Sequence, residues 1–111
     1  MSHKSFVELI NLLVERTNKN RQNWEEGPRQ GSFYTQIGSN SVSIKAVADD
    51  YIITLYNQDG DQVDEISDPT LKQGGFEEAY GVMGELFDMA RRNALGADKV
   101  LNDILNELKR I

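Results

Sequence analysis

Apolar side chains recur at helical spacing near both ends of the chain and alternate with polar ones in its middle. After Ser5 they follow at intervals of three and four residues as far as Thr17, and Ser5 with Glu8 has the spacing of a capping box. In the middle the period is that of strands, in four runs bounded by turn residues: 33–37, 42–47, 51–56 and 61–67. The pattern predicts an N-terminal helix followed by an antiparallel meander of three or four strands. The third run is expected to be the central strand, and the last, very acidic run an edge strand.

The last third of the chain has helical spacing throughout. Apolar residues recur at three and four residues from Phe76 to Ala94. Gly81 and Gly84 inside this pattern would allow close approach to a neighbouring backbone, and tolerated glycines explain them equally well. Gly96 followed by Asp98 is typical of a C-cap and a new N-cap, so the helical region is expected to break near Gly96. A further amphipathic stripe then follows, made of Leu101, Ile104, Leu105, Leu108 and Ile111.

These elements predict one α+β domain over residues 1–111 with two layers. One face of the sheet is expected to be covered by the N-terminal helix and the long C-terminal helical region. Trp24 is expected to close one end of the core. The predicted core consists of Phe6, Leu9, Ile10, Leu13, Phe33, Ile37, Val42, Ile44, Ile53, Leu55, Tyr80, Met83, Phe87 and Leu101.

Composition narrows the classes of protein that the chain can represent. It carries 12 basic and 18 acidic residues, a net charge of −6, which repels phosphate backbones and argues against nucleic-acid binding. It has no cysteine, which favours the reducing cytoplasm, and its longest apolar stretches are far shorter than the ~20 residues that span a bilayer. The first residues lack the pattern of a signal peptide. We therefore expect a soluble cytoplasmic protein that does not bind membranes.

Few residue types suited to catalysis are present. With no cysteine and with His3 as the only histidine, the sequence predicts no catalytic residue, no cofactor site and no metal ligand set, and hence a protein that is not an enzyme. The alternative is a carboxylate-based, metal-dependent enzyme or a cation-binding domain. It would use the acidic cluster, which we define as Asp59, Asp61, Asp64 and Glu65.

The order of helix, strand meander and long helix resembles a group of small bacterial and phage-associated α+β proteins without a known activity. The matching landmarks are Trp24, the runs 33–37 and 51–55, the Asp59-Gly60 turn and residues 90–96. This resemblance implies the same α+β fold and a bacterial or phage origin. In outline the chain also looks similar to type III secretion chaperones and to nucleoid-associated proteins of the YbaB type. It lacks the late strands of the chaperones, and it has an extra strand and a different first hairpin compared with the YbaB type.

The leading functional hypothesis is a non-enzymatic protein-interaction module of the adaptor, chaperone, immunity or anti-defence type. Its partner would be another protein, a second copy of the chain in a homodimer, or both. The candidate partner-binding residues are Arg91, Arg92, Leu101, Ile104, Leu105 and Leu108. Two alternatives stay open: the last helix could instead fold back beside Leu12 and Val14, and the acidic strand region could mimic DNA.

Overall fold

The structure is a computed structural model that describes residues 3–110. It contains four helices and five strands, in an α+β arrangement of helix, meander and helices. The helices are α1 (His3–Asn18), α2 (Asp68–Gln73), α3 (Ala79–Leu95) and α4 (Ala97–Lys109). The strands are β1 (Glu25–Glu26), β2 (Ser32–Ile37), β3 (Asn40–Val47), β4 (Asp50–Tyr56) and β5 (Gln62–Ser67). They form one antiparallel sheet in sequence order, from β1 to β5.

The register of the sheet separates an apolar row from a polar row. Cross-strand pairing aligns Phe33, Ile44, Ile53 and Ile66 on the face that the helices cover, and all four are buried. The adjacent row, on the opposite face, consists of Tyr34, Ser43, Thr54 and Glu65. Because successive side chains of a strand point to opposite faces, this register gives the sheet one apolar and one polar side. We call the side without helices the open face.

Helix α3 lies across the covered face and joins the sheet to the other helices. It contacts four of the five strands, and α1 and α2 both pack against it. Its buried residues Ala79, Met83, Leu86 and Ala90 follow at intervals of four, three and four, the spacing of one helix face. From α1 the core receives Phe6, Ile10 and Leu13, and Trp24 is buried beside them, as predicted.

Three residues of the predicted core lie at the surface. Ile37 is at the end of β2 beside a turn, Tyr80 faces outward from the first turn of α3, and Leu101 belongs to α4, which buries nothing. For Tyr80 the reason is a shift of the helix face, since the buried stripe runs through Ala79, Met83 and Leu86. The phenol ring of Tyr80 instead packs on Tyr51, with ring centroids 5.3 Å apart.

Two short elements and one cap differ from the sequence prediction. Strand β1 has only two residues, and the short helix α2 follows directly after β5, where the sequence predicts only a break. Ser67 caps α2 by accepting a hydrogen bond from the Thr70 N–H, with Pro69 in the first turn. Ser5 does not cap α1, because that helix begins at His3 and Ser5 lies inside it.

The predicted break near Gly96 is confirmed. Gly96 has φ 65° and ψ 41°, a left-handed conformation that residues with a side chain adopt only at a cost. Its backbone N–H closes α3 by donating to the carbonyls of Arg92 and Asn93. Asp98 is not the cap of α4 as predicted, since it lies within the first turn of that helix. The chain therefore changes direction at Gly96, between α3 and α4.

Candidate interaction surface

Helix α4 stands apart from the rest of the domain. None of its 13 residues is buried, and its contacts with the domain are chiefly with α3. The protein accordingly measures 56 Å along its longest axis but only 33 and 26 Å along the others. The alternative in which this helix folds back over α1 is wrong, because Leu12 remains 51% exposed.

The exposed side of α4 is strongly apolar. Its large apolar side chains are between 40% and 65% exposed, and they occupy one continuous stripe of the helix. We define the α4 stripe as Val100, Leu101, Ile104, Leu105 and Leu108. Four of the five residues were candidates from the sequence, and Val100 widens the stripe by one position. Ile111, the last predicted member, lies outside the described residues. Contiguous exposed apolar patches are found at protein and membrane interaction sites and at ligand-binding grooves.

Charged residues occupy the remaining sides of α4. Lys99 Nζ lies 2.9 Å from Asp103 Oδ2, and Arg110 Nη1 lies 3.0 Å from Glu107 Oε2. Both pairs have the spacing that stabilises a helix along its surface. These contacts are exposed, so each contributes only a few tenths of a kcal/mol. The helix thus has a solvated side and an apolar side without a covering element from its own domain.

The two candidate arginines lie at the junction of α3 and α4, and both are engaged in ion pairs. Arg91 Nη2 lies 2.7 Å from Asp88 Oδ1, three residues earlier in α3. Arg92 Nη2 lies 2.7 Å from Asp98 Oδ1, so this pair connects the end of α3 to the start of α4. The two pairs thus differ in place, because that of Arg91 lies within α3 and that of Arg92 bridges α3 and α4.

The acidic cluster is distributed over a turn and a strand. Asp59 and Asp61 lie in the turn before β5, where Asn57 Oδ1 accepts hydrogen bonds from both of their backbone N–H groups at 3.0 Å. Asp64 and Glu65 are successive residues of β5, so their side chains point to opposite faces of the sheet. Within residues 3–110 no three His, Cys, Asp or Glu side chains are grouped so that they could hold a metal ion.

A concave surface lies on the open face of the sheet, and the sequence analysis did not predict it. We call it the open-face groove. It has a volume of about 480 Å³ and is lined by Gly27, Pro28, Arg29, Ser32, Tyr34, Ser41, Ser43, Lys45, Tyr56, Gly60 and Gln62. Its polar residues occupy alternate positions of β2 and β3, for which the sequence analysis predicted only the alternation of a strand.

Comparisons of the chain with protein-family models, curated proteins and solved structures gave no significant match. The resemblance to small bacterial and phage-associated proteins therefore stays a prediction. Among residues 3–110 no helix is both long and apolar enough to cross a membrane.

Proposed function

We propose that this protein is a non-enzymatic interaction module and that α4 is its binding element. The observation that carries the proposal is the α4 stripe, in which a 13-residue helix exposes five large apolar side chains and buries none of them in its own domain. Isolated helices of this length are marginal in water, and helices in proteins owe most of their stability to a packed apolar face. A partner surface would supply that packing.

The partner that we propose is a second copy of the chain, with the two α4 helices antiparallel. Residues 97–103 carry Asp98, Lys99 and Asp103, whereas residues 104–110 carry Glu107, Lys109 and Arg110. The first half of the helix thus has one excess negative charge and the second half one excess positive charge. An antiparallel pair brings unlike halves together and opposes the two helix dipoles, whereas a parallel pair would bring like halves together.

Burial in such a pair would be favourable for each residue of the α4 stripe. Complete transfer of a Leu, Ile or Val side chain from water to an apolar interface contributes about 1.5–3 kcal/mol. Because these side chains are already about half covered by their own helix, we expect about half of that contribution from each. The stripe is repeated in both copies, as a twofold interface requires.

Sedimentation equilibrium on the intact chain tests this proposal. We expect a mass of twice 12.6 kDa at high protein concentration and dissociation on dilution. Leu101→Asp with Leu105→Asp should give a monomer that keeps its folded domain, because neither side chain is buried. Asn102→Asp with Asn106→Asp is the matched control, since it adds the same charge to the polar side of α4 and should leave the dimer intact.

Two results would contradict the homodimer. One is a monomeric mass of the intact chain at every concentration, and the other is equal loss of the dimer in both double variants.

We place the protein in the cytoplasm, on the argument that a chain without cysteine makes no use of an oxidising compartment.

A further inference from the structure

The open-face groove concentrates hydrogen-bond donors on a chain with an excess of acids. Its floor is formed by polar positions of β3 and its neighbours, among them Ser41, Ser43 and Lys45. Ser43 Oγ and the Tyr56 hydroxyl lie 3.2 Å apart, and either can donate to the other. Although the whole chain has a net charge of −6, no Asp or Glu is among the lining residues.

Both cations of the groove lack an ion-pair partner within residues 3–110. Arg29 and Lys45 form no salt bridge there, in contrast to Arg91 and Arg92 on the helical side. They lie near each other in the fold, because Lys45 is the cross-strand partner of Ser32 and the Arg29 carbonyl accepts a hydrogen bond from Ser32 Oγ at 2.9 Å. Two uncompensated cations at one concave surface favour an anionic ligand.

The first wall of the groove, the loop from Gly27 to Gly31, is held against β2. The Gly27 N–H donates to the Ser32 carbonyl at 2.8 Å, and the Ser32 N–H donates to the Arg29 carbonyl at 3.2 Å. A Cβ at Gly27 would collide with Ser32 Oγ and lie 3.3 Å from the Ser32 carbonyl oxygen, so glycine favours the close approach there. This wall is therefore formed in the absence of a ligand, which reduces the entropic cost of binding.

The second wall is the turn from Asn57 to Asp61, which is also internally bonded. Gly60 N–H donates to the Asn57 carbonyl at 3.0 Å, and Asn57 Oδ1 accepts from the backbone of Asp59 and Asp61. The two carboxylates of this turn lie outside the lining, while Gly60 itself faces the groove. The groove thus has two fixed walls and a polar floor, at a volume typical of sites for small molecules.

We propose that the open-face groove binds a small phosphate monoester. Arg29 and Lys45 would contact the phosphate, since a guanidinium can donate two parallel hydrogen bonds to its oxygens and an ammonium supplies a compact charge. Hydroxyl groups of the floor would donate to the remaining phosphate oxygens. A phosphate has more oxygens than a carboxylate, so it can accept more of these hydrogen bonds. The rings of Tyr34 and Tyr56 would contact the organic part of the ligand. This assignment is independent of α4.

Calorimetric titration of the full chain with AMP, inorganic phosphate and succinate tests the assignment. We expect AMP to bind most tightly, phosphate more weakly, and the dicarboxylate succinate at least tenfold more weakly than AMP. Amide chemical shifts of the wild-type chain should change at residues 27–32, 41–45 and 56–62 and remain constant in α4.

A matched pair of double variants separates the groove from general electrostatic attraction. Arg29→Gln with Lys45→Gln should weaken AMP binding at least tenfold, whereas Arg21→Gln with Lys72→Gln removes the same charge outside the groove and should change it less than twofold. Absence of AMP binding, equal or tighter binding of succinate, equal weakening in both double variants, or shift changes elsewhere on the protein would each overturn the proposal.

Discussion

The side chain of Asn93 in α3 holds the backbone of Trp24, 69 residues earlier in the chain. Asn93 Oδ1 accepts a hydrogen bond from the Trp24 N–H at 2.6 Å, while the Trp24 indole N–H donates to Thr17 Oγ1 at 3.0 Å. Trp24 therefore connects the end of α1, the approach to β1 and the last turns of α3. Trp24 is buried in the core, and both its backbone N–H and its indole N–H are hydrogen-bonded.

Replacement of Asn93 tests this connection. Asn93→Ala leaves the partly buried Trp24 N–H without its acceptor, so we expect the free energy of unfolding to fall by about 1–2 kcal/mol. Asn11→Ala, at an exposed position of α1, is the control and should be neutral or slightly stabilising. Urea denaturation followed by Trp24 fluorescence measures both, and equal stability of the two variants would contradict the assigned role.

Two equally buried threonines should respond in opposite directions to the same substitution. Thr35 Oγ1 accepts from Gln22 Nε2 and donates to the Asn23 carbonyl, so Thr35→Val should destabilise the protein by about 1–3 kcal/mol. Thr54 Oγ1 has no hydrogen-bond partner among the described residues, so Thr54→Val should stabilise it by about 1 kcal/mol. Chemical denaturation gives both values, and destabilisation by Thr54→Val would show that its hydroxyl is satisfied.

The two glycines of α3 form a second matched pair. A Cβ at Gly81 would meet nothing within 4 Å, so Gly81→Ala should stabilise the protein by about 0.5–1 kcal/mol through helix propensity. At Gly84 a Cβ would lie 3.2 Å from Tyr51 Cε2, and the ring would have to move. Gly84→Ala should therefore melt at a lower temperature than Gly81→Ala. Equal melting temperatures would mean that Tyr51 does not limit the approach of α3.

Tyr51 should make the protein less stable at alkaline pH. Burial is the main cause that raises the pKa of Tyr51, and the neighbouring Tyr80 and the charges of Asp68 and Asp88 raise it further. The folded state then keeps the proton to a higher pH than the unfolded chain, in which tyrosine has a pKa near 10. The contribution of protonated Tyr51 to the free energy of unfolding is complete below the unfolded-state pKa. It is lost as the pH rises through the folded-state pKa of Tyr51.

The Tyr51→Phe variant checks this dependence. Its free energy of unfolding should fall less steeply than that of the wild type as the pH is raised from about 9.5 to 11.5, where tyrosine ionises. The comparison is between slopes, so a constant difference in stability between the two proteins does not affect it. Parallel pH profiles would exclude Tyr51 as a source of the alkaline loss.

Hydrogen exchange should distinguish α4 from the rest of the domain. Because α4 buries no side chain in its own domain, we expect its amides to exchange faster than those of α3 in dilute solution. If α4 pairs with a second copy, protection of residues 97–110 should rise with protein concentration while that of α3 stays constant. Strong protection of α4 that does not depend on concentration would contradict the proposed pairing.

The sequence pattern predicted the elements that repeat a clear period over many residues. The four main strands, the N-terminal helix and the long helix α3 belong to this group, whereas the break at Gly96 was predicted from cap residues. Strand β1 was missed because two residues contain no period, and α2 was missed because Pro69 is equally compatible with a break and with the first turn of a helix.

The surface was harder to predict than the elements. The stripe residue Leu101 was expected in both the core and a dimer interface, since periodicity identifies an apolar face but not the element that covers it. The open-face groove depends on strand register and on two loops distant in sequence, so Arg29 and Lys45 carried no signal that linked them. In contrast, Trp24 could be placed correctly because a large aromatic side chain beside a polar loop is usually covered.

The alternation of the apolar and polar rows in the sheet has an evolutionary consequence. Insertion of one residue within β3 would shift the rest of that strand, so that Ser43 and its neighbours would face the core where Ile44 now lies. An insertion beside Gly38, or in the turn at Ala48 and Asp49, would only lengthen a solvent-exposed turn and leave both rows aligned. We therefore expect length differences among homologous chains to be confined to these turns, while the strands vary by substitution alone.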